Sequence, residues 1–379
     1  MNLDDRRDRH GNRWDRALKH ILLVEPKYYT QYPPLGLLKL SSYHKNLDDT
    51  TELARGATTK VSREPDIIYV TSLFTWAWKP VWEAVRFYSE LFPKAVLKLG
   101  GLYASLMPEH AALCGINPKN IFRGIFWEAE ELCPDYSLVP EWNKKAGGSI
   151  VFASRGCLNS CTFCVVPRIE GKLNAERSSI KSSVWPGHKK VILFDNNFLA
   201  SSKWKNILDE IQELGFGVDF NQGLDARLIT DKVARRISEV RIDPYIRLSY
   251  DYLSMGPYVK KAINHLKSHG IDGRNILVYT LFNFTDSPDD LFKRVKDTLS
   301  WGAVSYPMRY QPTNALTKNK YIASKWDPKR VEAIQRARRV IGVGGAFIPH
   351  EGMMKIKVDG CNSFDEAFRE FMVPLETLQ

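Results

Sequence analysis

The sequence lacks any long apolar run. Its longest hydrophobic stretches, such as Ile21 to Val24 and Val191 to Phe194, fall far short of the roughly 20 residues that a membrane-spanning helix needs. The first twenty residues are highly charged and contain no apolar segment of the kind that a secretory signal requires. We therefore expect a cytoplasmic protein that has no membrane partner.

Cysteine is also scarce, but its distribution is uneven. The 379 residues include 6 cysteines, and three of them fall between positions 157 and 164. In a long chain without a secretory signal, disulfides are not expected, and clustered cysteines indicate metal binding or redox chemistry. The spacing of these three residues therefore carries more information than their number.

The composition is that of a globular protein with a basic surplus. Hydrophobic residues make up 44% of the chain and aromatic residues 12%, which is enough for a large core. The 54 basic and 43 acidic residues give a formal charge of +11. This surplus favours anionic partners, although a solvated basic surface explains it equally well.

The order of apolar runs and amphipathic stretches predicts an α/β protein with several parts. We expect a polar arm at 1–20, a Rossmann-like open parallel sheet at 21–132, a linker at 133–148, six βα units forming a partial barrel at 149–310, and a mainly helical extension at 311–379. The last predicted strand of the first domain is 120–124. Ligands of such sheets lie beyond the carboxyl ends of the strands, here near Pro26, Ser72 and Gly100-Gly101.

The clustered cysteines form a C-x3-C-x2-C motif, Cys157, Cys161 and Cys164, directly after the first predicted strand of the second domain. Thiolates are soft ligands that select zinc or iron–sulfur clusters, and a four-iron cluster is normally held by four of them. If no distant residue supplies the fourth ligand of such a cluster, one iron keeps an open position for another ligand. A zinc site completed by Cys133, Cys361 or His188 is the alternative.

The motif resembles that of the radical S-adenosylmethionine (SAM) superfamily, in which an aromatic residue, here Phe163, precedes the third cysteine. The strand at 191–194 followed by Asp195-Asn196-Asn197 resembles the branch that carries an N-terminal cobalamin-binding-type domain. The segments 33–36 and 100–109 resemble parts of that domain. The resemblance implies a cobalamin-binding-type Rossmann-like sheet followed by a TIM-like radical SAM barrel.

This resemblance also implies a chemistry. Cys157, Cys161 and Cys164 would bind a [4Fe-4S] cluster whose open iron chelates the amino and carboxylate groups of SAM. One electron, from a donor such as flavodoxin or ferredoxin, then cleaves SAM to a 5′-deoxyadenosyl radical that takes hydrogen from an unactivated carbon. The implied outcome is methyl transfer or rearrangement on a substrate that the sequence does not identify.

The positions of polar residues after the strands suggest further contacts with SAM. The residues expected to contact it are Phe163, Asp195, Asn196, Asn197, Gln222, Ser249 and Tyr250. Asp225 and Arg227 follow the third strand of the second domain. We expect Arg227 to be either a carboxylate clamp or one half of a surface salt bridge.

The first domain departs from the family pattern in one respect. Many of its relatives carry an Asp-x-His-x-x-Gly segment whose histidine ligates cobalt. None of His20, His44 and His110 lies in that pattern. The domain either binds cobalamin without a histidine ligand or has kept the fold and lost the cofactor.

The segment 318–339 holds a net charge of +6 together with Tyr321 and Trp326. Basic residues mixed with aromatic ones can bind phosphates and stack on bases, so radical-based modification of a nucleic acid or nucleotide is an alternative function. A non-catalytic, metal-stabilised nucleic-acid-binding module is an alternative from another class. An exposed helix face above core aromatics is the competing structural explanation.

Overall fold

The computed structural model describes residues 17–145, 147–349 and 352–372. They form two compact units that divide in sequence between Leu138 and Val139. The predicted arm at 1–20 lies outside the described residues up to position 16.

The first unit contains one parallel sheet with helices on both faces. Its strands are β1 (His20–Glu25), β2 (Thr50–Arg55), β3 (Ile67–Ser72) and β4 (Val96–Gly101), in the spatial order β2-β1-β3-β4. Its helices are α1 (Leu35–Lys45), α2 (Trp78–Leu91), α3 (Leu102–Leu106) and α4 (Pro108–Ala112).

Strand β1 is fully buried because both of its faces are covered. Leu22 and Val24 pack in the cluster that contains residues of α2, whereas Ile21 and Leu23 pack with Leu37 of α1. Such burial on both faces is typical of a central strand in a parallel sheet, and it explains why this strand is a continuous apolar run.

One strand of this sheet was missed and one expectation was wrong. Strand β2 was not predicted, because it is an edge strand in which only Ala54 is buried and the other positions, apart from Leu53, are polar. The predicted strand at 120–124 is instead a single bridge between Ile121 and Leu99, followed by Gly124 with a φ of +85°.

The second unit contains the βα units that the sequence predicts. Its strands are β5 (Gly148–Val151), β6 (Lys190–Leu193), β7 (Gly217–Phe220), β8 (Arg241–Ile242), β9 (Ile246–Ser249), β10 (Ile276–Phe282) and β11 (Val304–Arg309). Its helices are α5 (Pro140–Lys145), α6 (Val166–Ile169), α7 (Trp204–Glu213), α8 (Asp231–Ser238), α9 (Gly256–Ser268), α10 (Pro288–Ser300), α11 (Pro328–Val340), α12 (Gly352–Gly360) and α13 (Phe364–Met372).

These strands form two parallel sheets, ordered β5-β6-β7-β8 and β11-β10-β9. Strands β7 and β9 belong to different sheets, and two contacts join them. Arg247 of β9 forms an ion pair with Asp219 of β7. The Leu224 N–H, which follows β7 in the chain, donates to the Arg247 carbonyl at 2.8 Å. The two-residue strand β8 pairs with the start of β7. The α/β class of the prediction is confirmed.

The strands of the second unit have two distinct faces. Alternate residues of β7 and β9, including Phe220 and Leu248, pack in one large core with residues of α7, α8 and α9. Successive side chains of a strand point to opposite faces, so Asp219, Arg247 and Ser249 lie on the other face. We call this second face the inner face.

The predicted extension is largely helical. Asp327 caps α11 by accepting from the Arg330 N–H at 3.0 Å. Phe364 and Phe368 of α13 share a core with Phe292 of α10 and Ile334 of α11. In the part of the chain that the structure describes, no helix combines the length and the apolar character that crossing a bilayer requires.

Candidate functional site

The three clustered cysteines lie on an irregular loop between β5 and α6. The loop begins at Gly156, which has a φ of +75°, and a Cβ at this position would collide with the Lys172 carbonyl. Only glycine fits such a close approach with this backbone conformation. Residue 156 therefore allows the chain to turn sharply just before Cys157.

The base of this loop is held by Glu170. Its carboxylate accepts hydrogen bonds from the Gly156 N–H at 2.9 Å, from Arg155 Nη1 at 3.1 Å and from Asn196 Nδ2 at 2.9 Å. Paired backbone hydrogen bonds between Arg155 and Asn174 add a second support. These contacts hold the base of the loop in place.

Nitrogen donors surround two of the thiols. The Asn159 N–H lies 3.3 Å from Cys157 Sγ, and the Asn197 side-chain amide lies 3.7 Å from the same sulfur. The Val166 N–H, at the start of α6, lies 3.5 Å from Cys164 Sγ. N–H donors directed at sulfur are an arrangement that stabilises metal-bound thiolates and tunes their clusters.

Burial raises the pKa of the Cys161 and Cys164 thiols. Neighbouring thiols raise both values further, while the Arg227 guanidinium opposes the rise at Cys161. Because a cysteine binds a metal as its thiolate, these cysteines are expected to release protons when a metal binds.

Two residues considered for completing a zinc site have other contacts. Among residues 17–145, 147–349 and 352–372, no three His, Cys, Asp or Glu side chains, the motif cysteines included, converge on a single metal ion position. His188 is engaged elsewhere, with Nδ1 2.9 Å from Ser149 Oγ and Nε2 3.1 Å from Asn143 Oδ1. Cys361 packs against the helical core of the extension.

The turn after β6 gives its three polar residues different roles. Asp195 is buried, and its carboxylate accepts from Ala153 N at 3.0 Å, Ser154 N at 2.6 Å and Ser154 Oγ at 2.8 Å. Burial raises the pKa of Asp195 to about 6, and these hydrogen bonds limit the rise. Asp195 thus joins the ends of β5 and β6, and Asn196 donates to Glu170.

Asn197 is the residue of this turn whose hydrogen bonding is incomplete. It is 3% exposed, and its Oδ1 is buried without a hydrogen-bond partner. Its Nδ2 lies 3.3 Å from the Asp225 carboxylate, and this contact fixes the amide orientation because the opposite orientation would place two oxygens together. A buried acceptor without a donor beside Cys157 favours a ligand that donates there.

Asp225 and Arg227 form a charged pair next to the thiols. Arg227 donates to the carboxylate through Nε at 2.8 Å and Nη2 at 2.7 Å, and Asn159 Nδ2 donates at 3.1 Å. Burial opposes ionisation, but these donors outweigh it and lower the pKa of Asp225. The carboxylate that Arg227 binds here is therefore one of this chain's own.

Three other residues that were expected to contact SAM lie in different surroundings. Ser249 lies on the inner face at the end of β9, whereas the next residue, Tyr250, points into the core. There the Tyr250 hydroxyl donates to Asp297 at 3.1 Å, and its ring stacks on Trp301. Gln222 is exposed, and its amide bonds to Asn221 at 3.0 Å. The structure thus gives Tyr250 a role in packing α10.

Phe163 belongs to a row of aromatic rings beside the cysteine loop. Its ring centroid lies 6.2 Å from that of Tyr252 and 5.7 Å from that of Phe284, and Phe284 lies 4.6 Å from Tyr310. Tyr310 in turn lies 5.5 Å from Tyr321 of the extension. The row links the loop after β5 to the ends of β9, β10 and β11.

Sequence reasoning missed the residue that holds the loops after β9 and β10. Arg294 of α10 is fully buried and donates to the carbonyls of Tyr250 at 2.9 Å and Leu281 at 2.7 Å, and to the Asp286 carboxylate at 2.5 Å. Arginine in an amphipathic helix normally predicts an exposed position, so the sequence carries no signal for this role.

The basic segment 318–339 is less uniform than its composition indicates. Trp326 lies in the core, where its Nε1 donates to the Asp286 carbonyl at 2.9 Å. Arg330 pairs with Asp327 and Asp365. Exposed positions in the segment include Lys318, Lys320 and Tyr321.

No protein-family model matches the sequence, and no curated protein matches it. Solved structures do match. The radical SAM methyltransferase TsrM from Kitasatospora setae, with cobalamin and a [4Fe-4S] cluster bound, has 15% sequence identity and a TM-score of 0.56, over 95% of this chain and 86% of that chain. A second TsrM structure, with tryptophan substrate and a SAM analogue bound, has 15% identity and a TM-score of 0.58, over 94% and 84%.

The chain shares the fold of these two structures over nearly its whole length. At 15% identity the likeness concerns the fold alone, and it agrees with the fold that the sequence resemblance implies. The cysteine loop, Asn197 and Arg294 lie within this shared fold.

The first unit places aromatic rings where a ligand was expected. The strand order reverses direction between β1 and β3, and just beyond their carboxyl ends Tyr28 and Phe74 lie 6.3 Å apart, edge to face. Burial raises the pKa of Tyr28. Next to them, a Cβ on Gly101 would collide with the Ser72 carbonyl.

The histidines of this unit that lie among the described residues are engaged in other contacts. His44 lies 2.7 Å from Asp49, His110 lies 2.6 Å from the Tyr103 hydroxyl, and His20 lies 2.9 Å from Thr50. His20 begins β1, so it lies at the opposite end of the sheet from the carboxyl ends of the strands. These contacts do not support a histidine ligand for cobalt.

Proposed function

We propose that this protein is a radical SAM enzyme in which Cys157, Cys161 and Cys164 bind a [4Fe-4S] cluster. The observation that carries the proposal is the combination of three thiols on a fixed loop with the unpartnered, buried Oδ1 of Asn197 beside Cys157. Soft thiolate ligands suit an iron–sulfur cluster, and the free acceptor suits a second ligand next to it. The radical SAM fold supports the same conclusion.

The residues of this chain prepare the site in three ways. Glu170 and Asn174 fix the loop, N–H groups from Asn159 and Val166 point at sulfur, and the Asp225–Arg227 pair orients Asn159 and Asn197. When bound, a [4Fe-4S] cluster supplies the electron that cleaves SAM reductively. The protein supplies binding, orientation and exclusion of side reactions.

The proposed activity is tested by its first product. Protein reconstituted anaerobically with iron and sulfide, then reduced with dithionite, is expected to convert SAM to 5′-deoxyadenosine, which chromatography detects. Iron-loaded protein that forms none would contradict the proposal. Protein that takes up zinc and excludes iron would instead favour the non-catalytic, metal-stabilised module.

Within this site, Asn197 is proposed to accept a hydrogen bond from the ammonium group of SAM. Asn197→Ala is expected to raise the KM for SAM roughly 10-fold or more, because it removes one hydrogen bond to a charged group. The KM is measured from initial rates of 5′-deoxyadenosine formation at varied SAM concentration. The iron content should stay that of the wild type.

The neighbouring residue provides the matched control. Asn196→Ala removes the same amide group, but Asn196 donates to Glu170, so its KM for SAM should stay close to the wild-type value. Equal KM values in the two variants would show that Asn197 does not contact SAM.

The outcome of the radical step is the finer part of the proposal. We propose methyl transfer or rearrangement on an unactivated carbon, with any cobalamin held without a histidine ligand. Protein purified anaerobically from cells grown with cobalamin should then show a corrinoid absorption spectrum. If the spectrum is absent while 5′-deoxyadenosine still forms, the methyl-transfer branch fails and the radical SAM activity stands.

We also propose an electron donor such as flavodoxin or ferredoxin and a cytoplasmic location. The alternative function is nucleic-acid or nucleotide modification through the segment 318–339. This alternative is supported by the exposed Lys318, Lys320 and Tyr321, because Tyr321 ends the aromatic row that begins beside Phe163.

A further inference from the structure

A cavity of about 410 Å³ lies between the last turns of α11 and the glycine-rich turn that follows it. It is lined by Gln335, Arg338, Arg339, Gly342, Gly344 and Gly345. None of these lining residues is acidic. The volume falls within the range of about 300–1,000 Å³ that is typical of small-ligand sites.

The two arginines of the cavity have partners, but their charge is incompletely neutralised. Arg338 Nε donates to the Gly345 carbonyl at 2.7 Å, and its guanidinium lies 4.2 Å from the centre of the Tyr306 ring. Arg339 Nη2 lies 3.1 Å from Glu332, and the same carboxylate also lies 3.5 Å from Arg336. One glutamate therefore serves two arginines, while the described contacts of Arg338 are with a carbonyl and an aromatic ring.

The glycine-rich turn adds backbone donors to this positive region. Gly344 and Gly345 have φ values of +57° and +83°, and Val343 and Ala346 exchange backbone hydrogen bonds of 2.9 and 3.0 Å. These bonds close a two-residue hairpin of the type that glycine favours. Successive backbone N–H groups in such turns form concave anion sites.

Gly345 also allows the close approach of Arg338. A Cβ at position 345 would come within 2.9 Å of Arg338 Nη2, so a larger residue would push the guanidinium away from the turn. The glycine and the arginine thus fit one another at the wall of the cavity.

The positive charge at the carboxyl end of α11 is larger than the helix dipole alone requires. The carboxyl end of a helix carries about half a negative charge, which one cation suffices to balance. Arg338 and Arg339 bring two full charges to this turn, and Glu332 is already shared with Arg336. The remaining positive charge faces the cavity.

We propose that this cavity binds a phosphate group of a phosphorylated ligand. Arg339 and Arg338 would pair with its oxygens, because planar guanidinium groups bind phosphate through two hydrogen bonds. Gln335 and the N–H groups of the glycine-rich turn supply further donors. The volume leaves room for more than one phosphate, so the ligand is either a phosphorylated small molecule or the backbone of a nucleic acid.

The test is a calorimetric titration of the full chain with pyrophosphate. Wild-type protein should bind it saturably, and Arg339→Gln should weaken binding about 10-fold, because a charge-assisted hydrogen bond is lost. Arg235→Gln is the matched control, since Arg235 is 74% exposed on α8 and pairs with Glu239 in the same manner. Thermal denaturation verifies that both variants fold.

A second titration separates the two sources of phosphate. If a short single-stranded oligonucleotide binds, loses affinity in Arg339→Gln and is displaced by pyrophosphate, the source is a nucleic acid. If only pyrophosphate binds, it is a phosphorylated small molecule. No saturable binding of pyrophosphate, or equal weakening by Arg339→Gln and Arg235→Gln, would overturn the proposal. Because neither titration needs iron or SAM, the result is independent of the proposed radical activity.

Discussion

Replacing Cys161 with alanine is expected to abolish 5′-deoxyadenosine formation, down to the level of a reaction without protein. The two remaining thiols of the motif cannot hold a four-iron cluster, which normally has four ligands. The loop itself should keep its shape, because the contacts that hold it are made by Glu170, Arg155 and Asn174. Iron and sulfide content after reconstitution, measured with the SAM cleavage rate, tests both parts of this expectation.

Cys361→Ala is the control for this variant. Cys361 packs against the helical core of the extension, so its removal should leave both iron content and cleavage close to wild-type values. A Cys161→Ala protein that still binds four irons and cleaves SAM would show that the motif does not hold the cluster.

Replacing Arg294 with methionine is expected to cause the largest loss of stability. Methionine fills a similar volume, so the main effect is the loss of charge and of five donated hydrogen bonds, to Asp286, Asp290, Tyr250, Asp251 and Leu281. Removing one partner of a buried ion pair costs about 3–5 kcal/mol, because the other charge is left buried and unpaired.

Urea denaturation measures this loss. Arg235→Met, on the exposed surface of α8, is the control and should change the free energy of unfolding by no more than about 0.5 kcal/mol. A loss below about 1 kcal/mol in Arg294→Met would mean that solvent reaches Asp286 and that Arg294 does not hold the two loops.

The sequence predicted those strands whose several buried residues form an apolar run. The sequence predicts six βα units at 149–310, and six strands of the second unit, β5, β6, β7, β9, β10 and β11, lie at or within one residue of that range. Strand β2 could not be found in this way, since an edge strand with one buried residue has no apolar pattern. The two-residue β8 is too short to leave a signal.

Sequence position alone could not separate the roles of neighbouring polar residues. Asp195, Asn196 and Asn197 occupy one turn, yet only the structure shows that Asp195 bonds to Ser154, Asn196 to Glu170, and that Asn197 keeps a free acceptor. Those partners are 26 to 41 positions away in the chain. Ser249 and Tyr250 differ for a simpler reason, because successive residues at the end of a strand face opposite sides.

The most direct test of the central claim is low-temperature electron paramagnetic resonance of the anaerobically reconstituted, dithionite-reduced protein, recorded with and without SAM. A single iron left open by Cys157, Cys161 and Cys164 predicts the signal of a reduced [4Fe-4S] cluster whose g values change when SAM binds. A protein without an iron signal, or a cluster signal that SAM leaves unchanged, would contradict the account.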